Sequence, residues 1–118
     1  MDAFKMSLPL KNEYLTTVRL TTGGICAAAG FDVESTEDVK VCVTESLLIL
    51  KRNGFLNAEV EFVVGEALCV CVKGVTEGGE TEDGAEGEIS FALLDALIGG
   101  VRIVRSEGGT VKEFSFEA

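Results

Sequence analysis

The stretch 35-STEDVKVCVTESLLILKR-52 decides the architecture of this 118-residue chain. Ser35 with Asp38 three residues on has the form of a capping box, and Glu37 and Asp38 suit the positive end of a helix dipole. Lys51 and Arg52 suit the opposite end, and Asn53-Gly54 supplies the stop. Between these limits Val39, Cys42, Val43, Ser46 and Leu50 recur at helical spacing and predict a buried stripe. Val41, Leu48 and Ile49 fall outside it. A helix apolar on most sides is either enclosed or exposes an apolar face. In a chain this short few helices are fully enclosed, so the expectation is a face turned to a pocket or a partner.

Working outward, residues from Asn12 or Glu13 to Ala29 predict an earlier helix, with Tyr14, Val18, Thr21 or Thr22, Ile25 and Ala29 near helical spacing. Gly23 and Gly24 weaken it by about 1 kcal/mol each relative to alanine, and Gly30 ends it. Before it, Met6 to Leu10 is extended, and Pro9 suits an edge strand. After the central helix, Ala58, Val60, Phe62 and Val64 alternate with Glu59 and Glu61. Leu68, Val70 and Val72 alternate with Cys69 and Cys71, and Gly65-Glu66 between the runs fits a type II′ hairpin. Phe91 to Ile98 predicts a third helix, closed by Gly99-Gly100. Val101–Arg105 and Val111–Phe116 complete a second hairpin. The order β-α-α-β-β-loop-α-β-β predicts an α+β fold, a two-layer sandwich with helices on one face of a mostly antiparallel sheet. The length suits a single domain over residues 1–118.

Composition narrows the chemistry. Twenty Asp and Glu against ten Lys and Arg give a net charge of −10. That balance repels phosphate backbones and anionic lipid, so neither nucleic acid nor a membrane surface is an expected partner. There is no histidine, which removes the usual general base and every His-containing metal site. The N-terminal MDAFKMSLPL has no apolar core of a signal peptide, and no run is long enough to span a bilayer. The expected location is cytoplasmic, with Cys26, Cys42, Cys69 and Cys71 reduced, buried and inert. The charge is unevenly spread. Residues 74–88 hold five glycines and six carboxylates (Glu77, Glu80, Glu82, Asp83, Glu86 and Glu88) with no basic residue, leaving −4 on the remainder. This predicts a flexible, self-repelling loop. Its spacing does not match a calcium loop, and its charge opposes a phosphate cradle.

Several strings together resemble a known family. They are 8-LPLKNEYLTTVRL-20, 29-AGF-31, 37-EDVKVCVTES-46, 93-LLDAL-97 and 101-VRI-103. The chain resembles the bacterial anti-sigma-factor serine kinases, of the histidine-kinase-type ATPase fold (GHKL superfamily). The resemblance implies that fold, dimers, and sigma factors or anti-anti-sigma proteins as partners. It also implies three nucleotide motifs, and each departs from the pattern here. Glu45 matches the glutamate taken as general base in the family's E-x-x-x-N box, but Ile49 stands where an Mg²⁺-ligating Asn is expected. Gly74 and Thr76 stand at the D-x-G-x-G box that recognises adenine. Glu88-Ile89-Ser90-Phe91 stands at the last glycine box. On this reading Leu48 and Ile49 fill the nucleotide cavity with apolar side chains, or else form an apolar docking patch.

The expectation is therefore a non-catalytic, anti-sigma-factor-like binding module that needs no cofactor and holds no metal. Tyr14, Val18 and Arg19 on the first helix are its candidate partner contacts. The alternative is an ATP-dependent serine/threonine kinase with unusual motifs, in which Glu45 is the catalytic base and ATP and Mg are the cofactors.

Overall fold

The alternating apolar residues pair into one antiparallel sheet. A computed structural model describes residues 1–81 and 85–118, with the backbone alone from 85 to 89. The strands are β1 (Asp2–Pro9), β2 (Asn53–Val64), β3 (Leu68–Thr81), β4 (Arg102–Arg105) and β5 (Val111–Glu117). They lie in the order β1-β2-β3-β5-β4. Paired residues share a face, so Leu8, Ala58, Val60, Phe62, Val70, Val72, Phe114 and Phe116 form a buried inner surface. Lys5, Glu59, Glu61, Cys69, Cys71 and Lys73 lie on the other face by the same alternation. Three helices cover the inner face: α1 (Leu15–Ala28, after a short 3-10 turn at Asn12–Tyr14), α2 (Val33–Arg52) and α3 (Ala85–Leu97). This is the expected two-layer α+β sandwich.

Helix α2 differs from its expectation in two respects. Its cap is Asp32, whose carboxylate accepts the Ser35 backbone N–H at 2.8 Å, so the helix starts at Val33 and Ser35 lies inside its first turn. That hydrogen bond holds the Asp32 carboxyl below its ordinary range. The helix is also enclosed. It packs between α1 and α3 and rests on β2 and β3, which buries Leu47 and Ile49 along with Val39, Cys42, Val43, Ser46 and Leu50. Of the apolar residues beyond the stripe, Ile49 is buried, while Val41 and Leu48 are half-buried.

Two connections also differ. Val64 pairs with Leu68, leaving a three-residue turn at 65–67 closed by the Gly65 N–H on the Ala67 carbonyl at 3.2 Å. Gly65 is not in the left-handed region that a type II′ turn requires. The stretch 74–88 is strand and helix over most of its length. β3 runs on to Thr81 and α3 begins at Ala85. Glu77 and Glu80 are therefore strand residues. Glu82 and Asp83 lie outside the described residues, as do the side chains of Glu86 and Glu88. Glycine makes the extended pairing possible. The β2–β3 register shifts at Phe55 and Asn57. Gly54, at φ +91°, comes so close to β3 that a Cβ there would stand 3.2 Å from the Gly79 carbonyl oxygen.

Candidate functional site

Of the motif positions, Glu45 lies on the side of α2 that meets α3. Glu45 and Arg52 are seven residues apart, two helical turns, and project from the same side. Ser90 on α3 comes down between them and is 2% exposed. Its hydroxyl donates to Glu45 Oε2 at 2.5 Å, and Arg52 Nη1 donates to Ser90 Oγ at 3.0 Å. A neutral serine thus bridges a carboxylate and a guanidinium inside the α2–α3 contact. Beside it, Asn53 Nδ2 donates to the Ile49 carbonyl at 2.8 Å, and Asn53 Oδ1 accepts the Val111 N–H at 3.1 Å. The end of α2 is thereby tied to β5.

Ile49 is 2% exposed and belongs to the hydrophobic core, so its side chain supplies packing where a ligating oxygen was sought. Gly74 pairs with Ala58 on the inner face. The Phe55 ring covers it so closely that a Cβ on Gly74 would stand 2.5 Å from Phe55 Cγ. Thr76 is exposed and pairs with Asn57. Glu88 falls in the first turns of α3, with its side chain outside the described residues. Among the described residues, no group of three His, Cys, Asp or Glu side chains could hold a metal ion. On α1, Arg19 is exposed and Tyr14, at the helix start, is 40% exposed, but Val18 is 1% exposed. Val18 is a core residue and offers a partner nothing, because the apolar stripe of α1 turns it onto the core.

Cys26 and Cys42 are buried, as expected. Burial pushes both thiols up, Cys42 to about 12. Cys69 and Cys71 depart from the expectation, since strand alternation places them on the outer face, exposed and half-buried respectively. Their thiols donate to Glu117 at 3.7 Å and Glu113 at 3.1 Å. Burial, with the Glu113 carboxylate, raises Cys71 to about 12. A groove of about 540 Å³ runs over these residues between Glu61 and Arg102, and a second cavity of about 480 Å³ lies by Phe31, Asp38 and Leu97. Neither is lined by Glu45 or Ile49.

Glu45 and Ile49 are visible in the sequence through the resembled box, whereas the parts played by Ser90 and Arg52 are not. Ser90 is the small polar residue opening the apolar run 90-SFALL-94, a signal for a polar contact inside a helix interface. Arg52 reads in the sequence only as a charge suited to the end of the helix dipole.

No protein-family model matches the chain. Curated relatives do. A serine-protein kinase RsbW of Listeria monocytogenes is 34% identical over 70 residues, covering 55% of this chain and 45% of that protein. One from Oceanobacillus iheyensis is 44% identical over 46 residues, covering 39% and 29%. One from Bacillus pumilus is 25% identical over 140 residues, covering 98% of this chain and 86% of the relative. The match to the Listeria protein spans less than half of that protein's length. The fold and the strings along α1 and α2 agree with these similarities: the chain is similar to the serine-protein kinases named RsbW.

Proposed function

We propose that this chain is a non-catalytic regulatory module that binds a protein partner, a sigma factor or an anti-anti-sigma protein, without using ATP. The observation that carries this reading is the filling of the α2 wall. Ile49 is core, the Phe55 ring occupies the space over Gly74, and Ser90 sits on Glu45. A hard cation needs oxygen ligands, and phosphoryl transfer depends on positioning and charge neutralisation. Ile49 offers no oxygen, and Glu45 Oε2 already accepts the internal Ser90 hydroxyl. Exposed Tyr14 and Arg19 are the proposed partner contacts, and the working form is a cytoplasmic homodimer.

Thermal melting with and without millimolar Mg-ATP tests the reading. A ligand at one hundred times its dissociation constant stabilises the folded state by about 2.7 kcal/mol. The expected result is an unchanged melting temperature, and a clear rise rejects the proposal. The second reading, an active serine kinase, is favoured by the name of the relatives and by the retained Glu45. It requires that rise, together with phosphate transfer to a serine of the partner.

A further inference from the structure

Asn53 and Gly54 read in the sequence as the stop of α2, and the structure gives Asn53 a second task. Its Nδ2 donates to the Ile49 carbonyl at 2.8 Å, one turn back on α2, and its Oδ1 accepts the Val111 N–H at 3.1 Å. Val111 is the first residue of β5 and is 2% exposed. One amide therefore joins a helix end to a strand, as donor on one side and acceptor on the other. A carboxylate in its place could only accept. The residue that follows has no side chain to hinder its peptide nitrogen, and attack of that nitrogen on Asn53 Cγ is the route by which an asparagine loses its amide. The Gly54 nitrogen bonds to Cγ and gives its proton to water, the Cγ–Nδ2 bond breaks, and ammonia leaves. Water then opens the cyclic imide at either carbonyl, leaving aspartate or isoaspartate at 53, and no oxidant or cofactor enters. The folded geometry withholds this reaction. Ring closure needs the Gly54 nitrogen nearly coplanar with Cα, Cβ and Cγ of Asn53, and at φ −84° and ψ 7° it lies well out of that plane.

We propose that Asn53 is a site of spontaneous deamidation gated by its own hydrogen bonds. While the amide ties α2 to β5 it does not turn toward the Gly54 nitrogen, and the side chain is spared. When the end of α2 parts from β5, the group is free to cyclise. The product does not close the tie again. A carboxylate has no hydrogen to give the Ile49 carbonyl, so oxygen faces oxygen, and its charge sits at the helix end that the dipole already makes negative. An isoaspartate also lengthens the backbone between α2 and β2 by one methylene. The step is one-way, so residue 53 records how often this end of the helix has opened. It needs neither nucleotide nor partner.

Ageing the full chain at mildly alkaline pH, folded and in urea, tests it. Peptide mapping by mass spectrometry reads the exchange of NH2 for OH at residue 53. The folded chain is expected to deamidate there about 10- to 100-fold more slowly than the chain in urea, the range set by two hydrogen bonds that open together. Equal rates overturn the proposal, because the hydrogen bonds then gate nothing. So does a folded sample without product when the urea sample is fully converted, because the end of α2 then never opens to the reaction. The deamidated fraction carries one more negative charge and separates by anion exchange. It is expected to melt below intact chain taken through the same steps, and Asn53→Asp provides the same comparison without ageing. A deamidated fraction that melts with the intact chain overturns the proposal, because the amide is then no tie.

Discussion

At the scale of single residues, the protonation states of a few side chains tie stability to pH. Asp32 caps α2, and its carboxyl is held low by the Ser35 N–H. A depressed carboxyl stabilises the fold above its unfolded value and ceases to do so as pH falls through the folded value. Acidification below the ordinary aspartate range is therefore expected to loosen the start of α2, and Asp32→Ala to lower the melting temperature at neutral pH but not in acid. Circular dichroism melts at the two pH values measure both. Cys42 and Cys71 give the opposite sign. Their folded values near 12 lie above the ordinary 9.0. Unfolded thiols ionise first, so stability present below pH 9 is lost progressively as pH rises toward 12. Urea midpoints are expected to fall across that window, and to fall less steeply in Cys71→Ser.

At the scale of elements, α2 carries the most specific expectation. It is enclosed by α1, α3 and the sheet, and Ile49 is part of that packing. Ile49→Asn, which restores the residue type of the resembled motif, places an amide in an apolar site. It is expected to destabilise the chain by about 3–5 kcal/mol through lost burial and an unsatisfied polar group, read by chemical denaturation. Recovery of Mg-ATP binding at wild-type stability contradicts that account. The helices were legible because their signals are local: dipole-matched charges and the Asn53-Gly54 stop for α2, helical spacing for α1, Gly99-Gly100 after α3. The far half of β3 was not. Glycine and glutamate have poor strand propensity, and Gly74 to Thr81 becomes a strand only because β2 continues beside it through bulges at Phe55 and Asn57. The start of α3 was hidden in the same way by the glycines and carboxylates before Ile89. The Ser90 bridge was out of reach because it joins residues 38 and 45 positions apart, and no local pattern encodes such a pairing.

At the scale of the whole molecule, charge is the property that sets behaviour in solution. A net charge of −10 in 118 residues is opposed, among the described residues, by ion pairs at Lys5 and Lys40 that lie at 3.1–3.9 Å. Exposed pairs of this kind contribute little. Self-repulsion is then a net cost to compactness, and salt relieves it. The melting temperature is expected to rise between low and moderate NaCl, and a flat or falling profile contradicts this. Among the described residues no helix is long and apolar enough to cross a membrane.

The Phe55–Gly74 contact bears on how the chain can change over generations. The ring on β2 and the missing side chain on β3 are two halves of one fit. Any residue larger than glycine at 74 collides with the ring, at a cost of about 1–3 kcal/mol for overpacking. Shrinking Phe55 first leaves a hole, at about 3–5 kcal/mol. Each single step is harmful, and the two together relieve one another, so their effects fall well short of additive. A carboxylate at 74 is separated from this sequence by a coupled two-residue step, a ratchet that holds the chain in its present form.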